Sequence, residues 1–94
     1  MLAELATEAH IARVFINDCV LRLNAGTADT ALASMAKWWT TELQTKLVDR
    51  GVQLHGGYGY MAEYEIGRAW ADARVGRIYG GTSEVMREII ARTL

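Results

Sequence analysis

Two glycine-rich stretches hold the residue types and spacings that could do chemistry in this chain. They are Gln53-Leu54-His55-Gly56-Gly57-Tyr58-Gly59-Tyr60 and Ile78-Tyr79-Gly80-Gly81-Thr82-Ser83-Glu84. The second lies just before a predicted helix. A helix N-terminus presents unpaired peptide N–H groups and a partial positive charge, which suits a phosphate or a developing oxyanion. Gly80 and Gly81 remove the side chains that would obstruct close approach to that end. In the first stretch Gln53 could hydrogen-bond a ligand, and Gly56 and Gly57 could admit it near the backbone. Taken singly, each stretch is better explained as a turn between packed helices, because paired glycines are common punctuation and glycine is the usual residue past a helix end.

The remaining candidates are weaker. His10 and His55 are far apart and lack carboxylates at ligand spacing, so no metal site is expected. Glu63, Glu65, Asp72 and Glu84 could act as acid or base, yet no spacing pairs any two of them and a structural role is the default. Asp72 and Arg74 flank Ala73 and point different ways on a helix, so their partners are expected on neighbouring segments. Trp38, Trp39 and Trp70 read as packing residues. Trp38 and Trp39 are adjacent and should not share a helical face, which leaves one of them to meet another subunit.

The elements that must position the two joints follow from apolar spacing. Leu2, Leu5, Ala9, Ala12, Ile16, Cys19 and Leu23 recur three or four apart, widened by Ile11, Val14 and Phe15, and predict one amphipathic helix. Asn24-Ala25-Gly26 should stop it, and Thr27 or Asp29 can cap a second. Leu32, Met35, Ala36, Trp39, Leu43, Leu47, Gly51 and Leu54 keep helical spacing over about seven turns. Two helices joined by so short a loop run antiparallel and still need a cover. The Gly56-Gly57 pair ends the second helix, and a shorter helical piece from about Glu65 to Arg74 follows, with Ile66, Ala69, Trp70 and Ala73 as the apolar members of a small face. Thr82 can cap a last helix whose inner side is Val85, Met86, Ile89 and Ile90. The expected fold is all-α, an up-down bundle of four helices forming one domain over 1–94, without repeat or linker.

Composition narrows the function classes. A chain of 94 residues makes one small domain with a thin core, so oligomerisation or a partner segment is expected to complete it. Ten basic and eleven acidic residues, with no block of one sign, leave no footprint for nucleic acid or anionic lipid. The single Cys19 sits in an apolar helical pattern, which excludes a disulfide framework and favours a reducing, cytoplasmic location. No apolar run approaches the roughly 20 residues of a membrane span, and Glu4 and Glu8 stand where a signal peptide carries positive charge, so a soluble, unprocessed chain is expected.

The run QLHGGYGYMAEY followed by ADARVGRIYGGTSEVMREIIARTL resembles the C-terminal helical domain of the FAD-dependent acyl-CoA dehydrogenases, closest to the long-chain type. MLAELATEAHIAR resembles a core helix of that domain and SMAKWWTTELQTKLVDRGVQLHGGYGY the next, so the resemblance covers nearly the whole chain. It implies FAD bound between an N-terminal helical domain, a middle β domain and this bundle, with homo-oligomers formed through the bundles. It further implies that Gln53, Leu54, His55, Gly56 and Gly57 contact the FAD of a neighbouring subunit. Thr82, Ser83 and Glu84 would touch the flavin nucleotide, and the Gly80 N–H would hold the thioester carbonyl of an acyl-CoA, beside Tyr79 and Gly81. Electron-transfer flavoprotein is the implied redox partner.

That arrangement is chemically coherent, because loss of a proton alpha to a thioester builds charge on the carbonyl oxygen and a fixed donor there stabilises the transition state. Many members place the catalytic glutamate where this chain has Gly80, so no catalytic residue is assigned. In long-chain and isovaleryl-type members the glutamate comes from an earlier helix of the domain, which would precede Met1. Glu65 departs from the family's proline after Glu-Tyr, and Ala71 from an arginine before Asp-Ala-Arg. The expectation is a fragment or separately encoded piece of a dehydrogenase, inactive alone; the alternative is a non-catalytic helical interaction module derived from it. Four helices without the fifth should expose several hundred square ångströms of apolar surface and assemble as a dimer or larger.

Overall fold

The computed structural model describes all residues 1–94 and contains four α-helices and no strand. Helix α1 spans Leu2–Asn24, α2 Thr30–His55, α3 Glu65–Ala73 and α4 Ser83–Ala91, with 3₁₀ turns at Gly56–Tyr60 and Arg74–Arg77. The all-α, four-helix architecture is the one that the apolar spacing predicts.

Local chemistry accounts for the helix ends. Gly26 adopts φ 74°, and the Thr27 N–H reaches back to the Arg22 carbonyl at 2.9 Å, closing the last turn of α1. Of the two possible caps for α2, Asp29 takes the role: its Oδ1 accepts the Leu32 N–H at 2.8 Å. Thr27 instead turns its hydroxyl to the Arg22 carbonyl. Replacing Asp29 with alanine should therefore lower stability by about 1 kcal/mol, read as a lower urea midpoint, while Thr27→Ala costs less. Inside α2, Thr40, Thr41 and Thr45 each donate to a carbonyl four residues back, so their hydroxyls are satisfied without breaking the helix. Glu65, standing where the resemblance favours proline, opens α3 in its first turn, where its charge complements the helix dipole.

Helix α2 is the spine. Helix α1 lies along it, tied by Lys46 to Glu8 at 2.6 Å, while α3 and α4 pack on it as well. An ion pair this exposed contributes about 1 kcal/mol or less, so apolar contact must do most of the holding. Yet little is enclosed: Leu43, at 7% exposure, is the one large apolar side chain that is buried, and α1 buries none of its residues. Leu21 and Leu23 remain 68% and 69% exposed. The radius of gyration is 15.2 Å, against about 12 Å for a compact domain of this length. The apolar surface expected to stay open is present along α1 and in the trough it forms with α2, about 400 Å³ between Ile16, Cys19, Leu23, Leu32 and Ala36.

The two tryptophans depart from expectation. Although Trp38 and Trp39 are consecutive, their rings meet edge-on with centroids 6.1 Å apart, and both line one open groove with Ile11, Phe15 and Met35. Long side chains converge where their Cα–Cβ bonds diverge.

Candidate functional site

The second joint is an elbow between α3 and α4, built on the 3₁₀ turn Arg74–Arg77. The N–H groups of Ile78 and Tyr79 both donate to the Val75 carbonyl, at 2.9 and 3.1 Å, which brings the chain round. Gly80 then takes φ 66° and Gly81 φ 111°, conformations that disfavour any side chain. Thr82 caps α4, its Oγ1 accepting the Val85 N–H at 3.1 Å, as its position predicts. From Gly80 to Glu84 no peptide N–H donates to an acceptor within the chain. A Cβ on Gly80 would meet nothing within 4 Å. Five unpaired amides gather at the positive end of a helix, where Gly80 and Glu84 are exposed, Gly81 and Thr82 half-buried and Ser83 buried.

Three side-chain hydrogen bonds hold the elbow against α2, and spacing in the sequence signals none of them. The Lys37 ammonium donates to the Gly81 carbonyl. Glu42 Oε1 accepts the Ser83 hydroxyl at 2.6 Å, and its Oε2 accepts from the Arg77 guanidinium at 3.0 Å. Ser83 is 4% exposed and gives its hydroxyl to the protein, so what it offers a ligand is its peptide N–H. The Ser83 hydrogen bond, and after it the Arg77 hydrogen bond and charge, hold the Glu42 carboxyl below its ordinary 4.5, against the opposing pull of partial burial.

A pH dependence follows. The folded value lies below the unfolded one, so the carboxylate stabilises the fold fully above about pH 4.5, and this contribution disappears as pH falls through the depressed folded value. Glu42→Gln should flatten that acid limb. A denaturation series from pH 6 down to about 3 that gives parallel curves for wild type and variant would contradict the assignment.

The first joint lies at the far end of α2. Gly56, at φ 63°, receives the chain from α2 and donates to the Gln53 carbonyl. A ring nitrogen of His55 lies 2.7 Å from the Gly51 carbonyl. Gln53, Leu54, His55, Gly56 and Gly57 are all exposed, and a Cβ on Gly56 or Gly57 would meet nothing within 4 Å. Gly59 differs: it is buried, and its Cβ would fall 2.6 Å from the Val52 carbonyl oxygen. The flanking rings of Tyr58 and Tyr64 stand 5.4 Å apart.

The two joints are not brought together. Lys37 and Glu42 mark where the elbow meets α2, and Gln53 is 16 and 11 residues further along a continuous helix, about 24 and 16 Å at 1.5 Å per residue. Within one chain they serve different places. No cluster of three His, Cys, Asp or Glu has the geometry of a metal site, and no helix is long and apolar enough to cross a membrane. Asp72 and Arg74 make no ion pair; Arg74 instead borders a polar groove with Glu42, Lys46, Asp49, Trp70 and Arg77.

Comparison with known proteins covers the whole chain. The family profile described as acyl-CoA dehydrogenase, C-terminal domain, matches residues 1–94. The long-chain specific acyl-CoA dehydrogenase of rat mitochondria is 50% identical over 93 residues, 99% of this chain and 22% of the relative. A subunit of the caffeyl-CoA reductase-Etf complex of Acetobacterium woodii is 36% identical over all of this chain and 25% of its own length. Among solved structures, an acyl-CoA dehydrogenase from Geobacillus kaustophilus superimposes with a TM-score of 0.95 at 48% identity, over 98% of this chain and 24% of the other. The chain thus spans about a quarter of the length of the proteins it matches.

Proposed function

The chain belongs to the acyl-CoA dehydrogenase family as its C-terminal domain, and from that premise we propose that it completes the thioester and flavin sites of an enzyme that dehydrogenates acyl-CoA between the alpha and beta carbons, in fatty-acid or branched-chain acyl-CoA oxidation. The observation that carries this reading is the elbow, whose amides from Gly80 to Glu84 find no acceptor within the chain at the start of α4, where Gly80 is exposed. The Gly80 N–H donates to the thioester carbonyl, with Tyr79 and Gly81 on either side. As the alpha proton leaves, charge gathers on that oxygen, and a donor already in place stabilises it without reorganisation. Gly80 carries no carboxylate, so this segment supplies the donor and the base comes from elsewhere in the enzyme.

The residues also suit FAD. Open amides at a helix N-terminus fit a polar, anionic nucleotide. Thr82, Ser83 and Glu84 would hold it through backbone N–H groups, and the exposed Glu84 carboxylate could accept only from its hydroxyls. When bound, FAD supplies the two-electron oxidising capacity of the reaction. Gln53, Leu54, His55, Gly56 and Gly57 are assigned to the FAD of a neighbouring subunit, and their distance from the elbow supports that division. Gly57 adds a second support: its φ is not positive and its Cβ site is empty, so folding does not require glycine there, whereas close approach of a ligand does.

Because the chain lacks a base at the elbow, the purified chain with FAD, acyl-CoA and an artificial electron acceptor should give no turnover above a boiled control. Adding a chain with the remaining domains should restore yellow colour and turnover. Activity of the chain alone would refute this reading. Electron-transfer flavoprotein is proposed as acceptor, a choice supported by the Etf complex named for one relative. The exposed apolar residues of α1 favour a homo-oligomer. Sedimentation at micromolar concentration should give a dimer or larger, and a clean monomer would count against it. They also keep a second reading in view, a colourless interaction module, which a stable assembly indifferent to FAD and to the other domains would support. The lone, half-buried thiol of Cys19 suits a cytoplasmic, reducing location.

A further inference from the structure

We propose that Lys37 and Glu42 of α2 are positioning residues for the elbow, fixing the direction in which its amides face the thioester carbonyl. The inference rests on the reading that the elbow binds an acyl thioester. Two consecutive glycines at positive φ form the most permissive backbone in the chain, and the amides from Gly80 to Glu84 have no protein acceptor to orient them. Their direction must then be imposed from the carbonyl side and from the flanks. Lys37 does the first by donating to the Gly81 carbonyl. Holding that oxygen against α2 fixes the Gly81–Thr82 peptide plane, and through the Gly81 dihedrals it limits where the preceding Gly80 segment and its N–H can lie. The ammonium also polarises the plane, which makes the Thr82 N–H a stronger donor.

Glu42 supplies the flanks. One oxygen takes the buried Ser83 hydroxyl after the glycines, and the other takes Arg77 before them. Gly80 lies between the two pins. Lys37 and Glu42 are both carried by one continuous helix, so the spacing of the pins is set by a rigid element and not by the loop. Lys37 also forms no ion pair with any carboxylate of the chain, so its charge stands uncompensated beneath the elbow, on the side that favours negative charge on a bound oxygen.

The test uses the flavin-loaded holoenzyme that contains this domain, with an acyl-CoA analogue that cannot lose a beta hydride and is ¹³C-labelled at the thioester carbonyl. Difference infrared spectroscopy reads the carbonyl stretch, which falls in frequency as donors polarise it. Lys37→Met and Glu42→Ala should each lose about half or more of the wild-type downshift. In turnover with normal substrate, kcat should fall about 10- to 100-fold with KM much less affected. Glu42→Gln, whose amide oxygen still accepts the Ser83 hydroxyl while its NH2 cannot accept from Arg77, should fall between the wild type and Glu42→Ala. If Glu42→Ala fails to fold, Lys37→Met decides alone, because Lys37 makes one backbone contact and no ion pair. A wild-type downshift retained in full by Lys37→Met overturns the proposal whatever happens to kcat. Absence of any downshift in the wild type overturns the thioester reading of the elbow, and this inference with it.

Discussion

Gly67→Ala should unseat α3 and lower stability by about 1–3 kcal/mol, as overpacking of a close contact does. The added Cβ would stand 2.7 Å from the Gly59 carbonyl oxygen, with that residue's carbonyl carbon at 3.8 Å behind it. A side-chain tip can swing away from such a contact, but a backbone carbonyl moves only with its chain. Here the chain cannot retreat, because Gly59 is itself pressed on α2, where its own Cβ would meet the Val52 oxygen at 2.6 Å. The backbone of the 3₁₀ turn is therefore sandwiched between α2 and α3, with glycine on both contacting faces. Gly51 makes a softer third contact, since its Cβ would meet the flexible end of Ile66 at 2.7 Å. Urea denaturation should rank the alanine variants with Gly67 and Gly59 most harmful, Gly51 intermediate and Gly57 near neutral. A Gly67→Ala midpoint equal to wild type would mean that α3 does not sit where the structure has it.

The second large effect is on catalysis in the complete enzyme. Gly81→Ala should reduce kcat by about 100-fold while the chain stays folded, since a displacement near 1 Å at a reacting centre costs that much. At φ 111° an alanine is strained by roughly 1–3 kcal/mol, and its Cβ would press on the Met86 methyl. The methyl can move; the dihedral is the lasting obstacle. Relief comes by rotating the peptide planes on either side of Gly81, which withdraws the carbonyl from Lys37, turns the Gly81 and Thr82 N–H groups and shifts the Gly80 segment joined to them. Gly80→Ala is the informative companion. At φ 66° it bears the left-handed cost of about 1–2 kcal/mol, but its Cβ enters open space, so it should damage kcat less. Steady-state kinetics of the two variants, with circular dichroism to establish folding, checks the order. If Gly80→Ala proved the worse of the two, the strain argument would be wrong.

Much of the fold was legible because its signals are short-range. The apolar spacing of α1 and α2, the Gly26 stop, the Asp29 cap, the Gly56 exit and the Thr82 cap each act over three to five residues, and each appears where its chemistry requires. Asp29 rather than Thr27 capping α2 was a local choice that spacing left open. The rings of Trp38 and Trp39 meet although their positions diverge, for a related reason: a helical wheel locates Cβ atoms, and an indole extends well beyond them. The glycines illustrate the limit. In sequence Gly57, Gly59, Gly67 and Gly81 look alike, yet Gly57 has open space around it, Gly59 and Gly67 are there for contact with backbone, and Gly81 is there for its dihedral.

By itself, the sequence determined the four helices, their order, the two joints and the family likeness that gives the joints a meaning, since all of these are written in neighbouring residues. Only the tertiary structure decided that the joints lie about 16–24 Å apart on α2, that Ser83 turns its hydroxyl inward, and that Lys37 and Glu42 hold the elbow. Those contacts join residues 44 and 41 positions apart through long, flexible side chains, and no periodicity encodes such a meeting. Packing of α4 against α2 creates it, and with it the setting of the elbow.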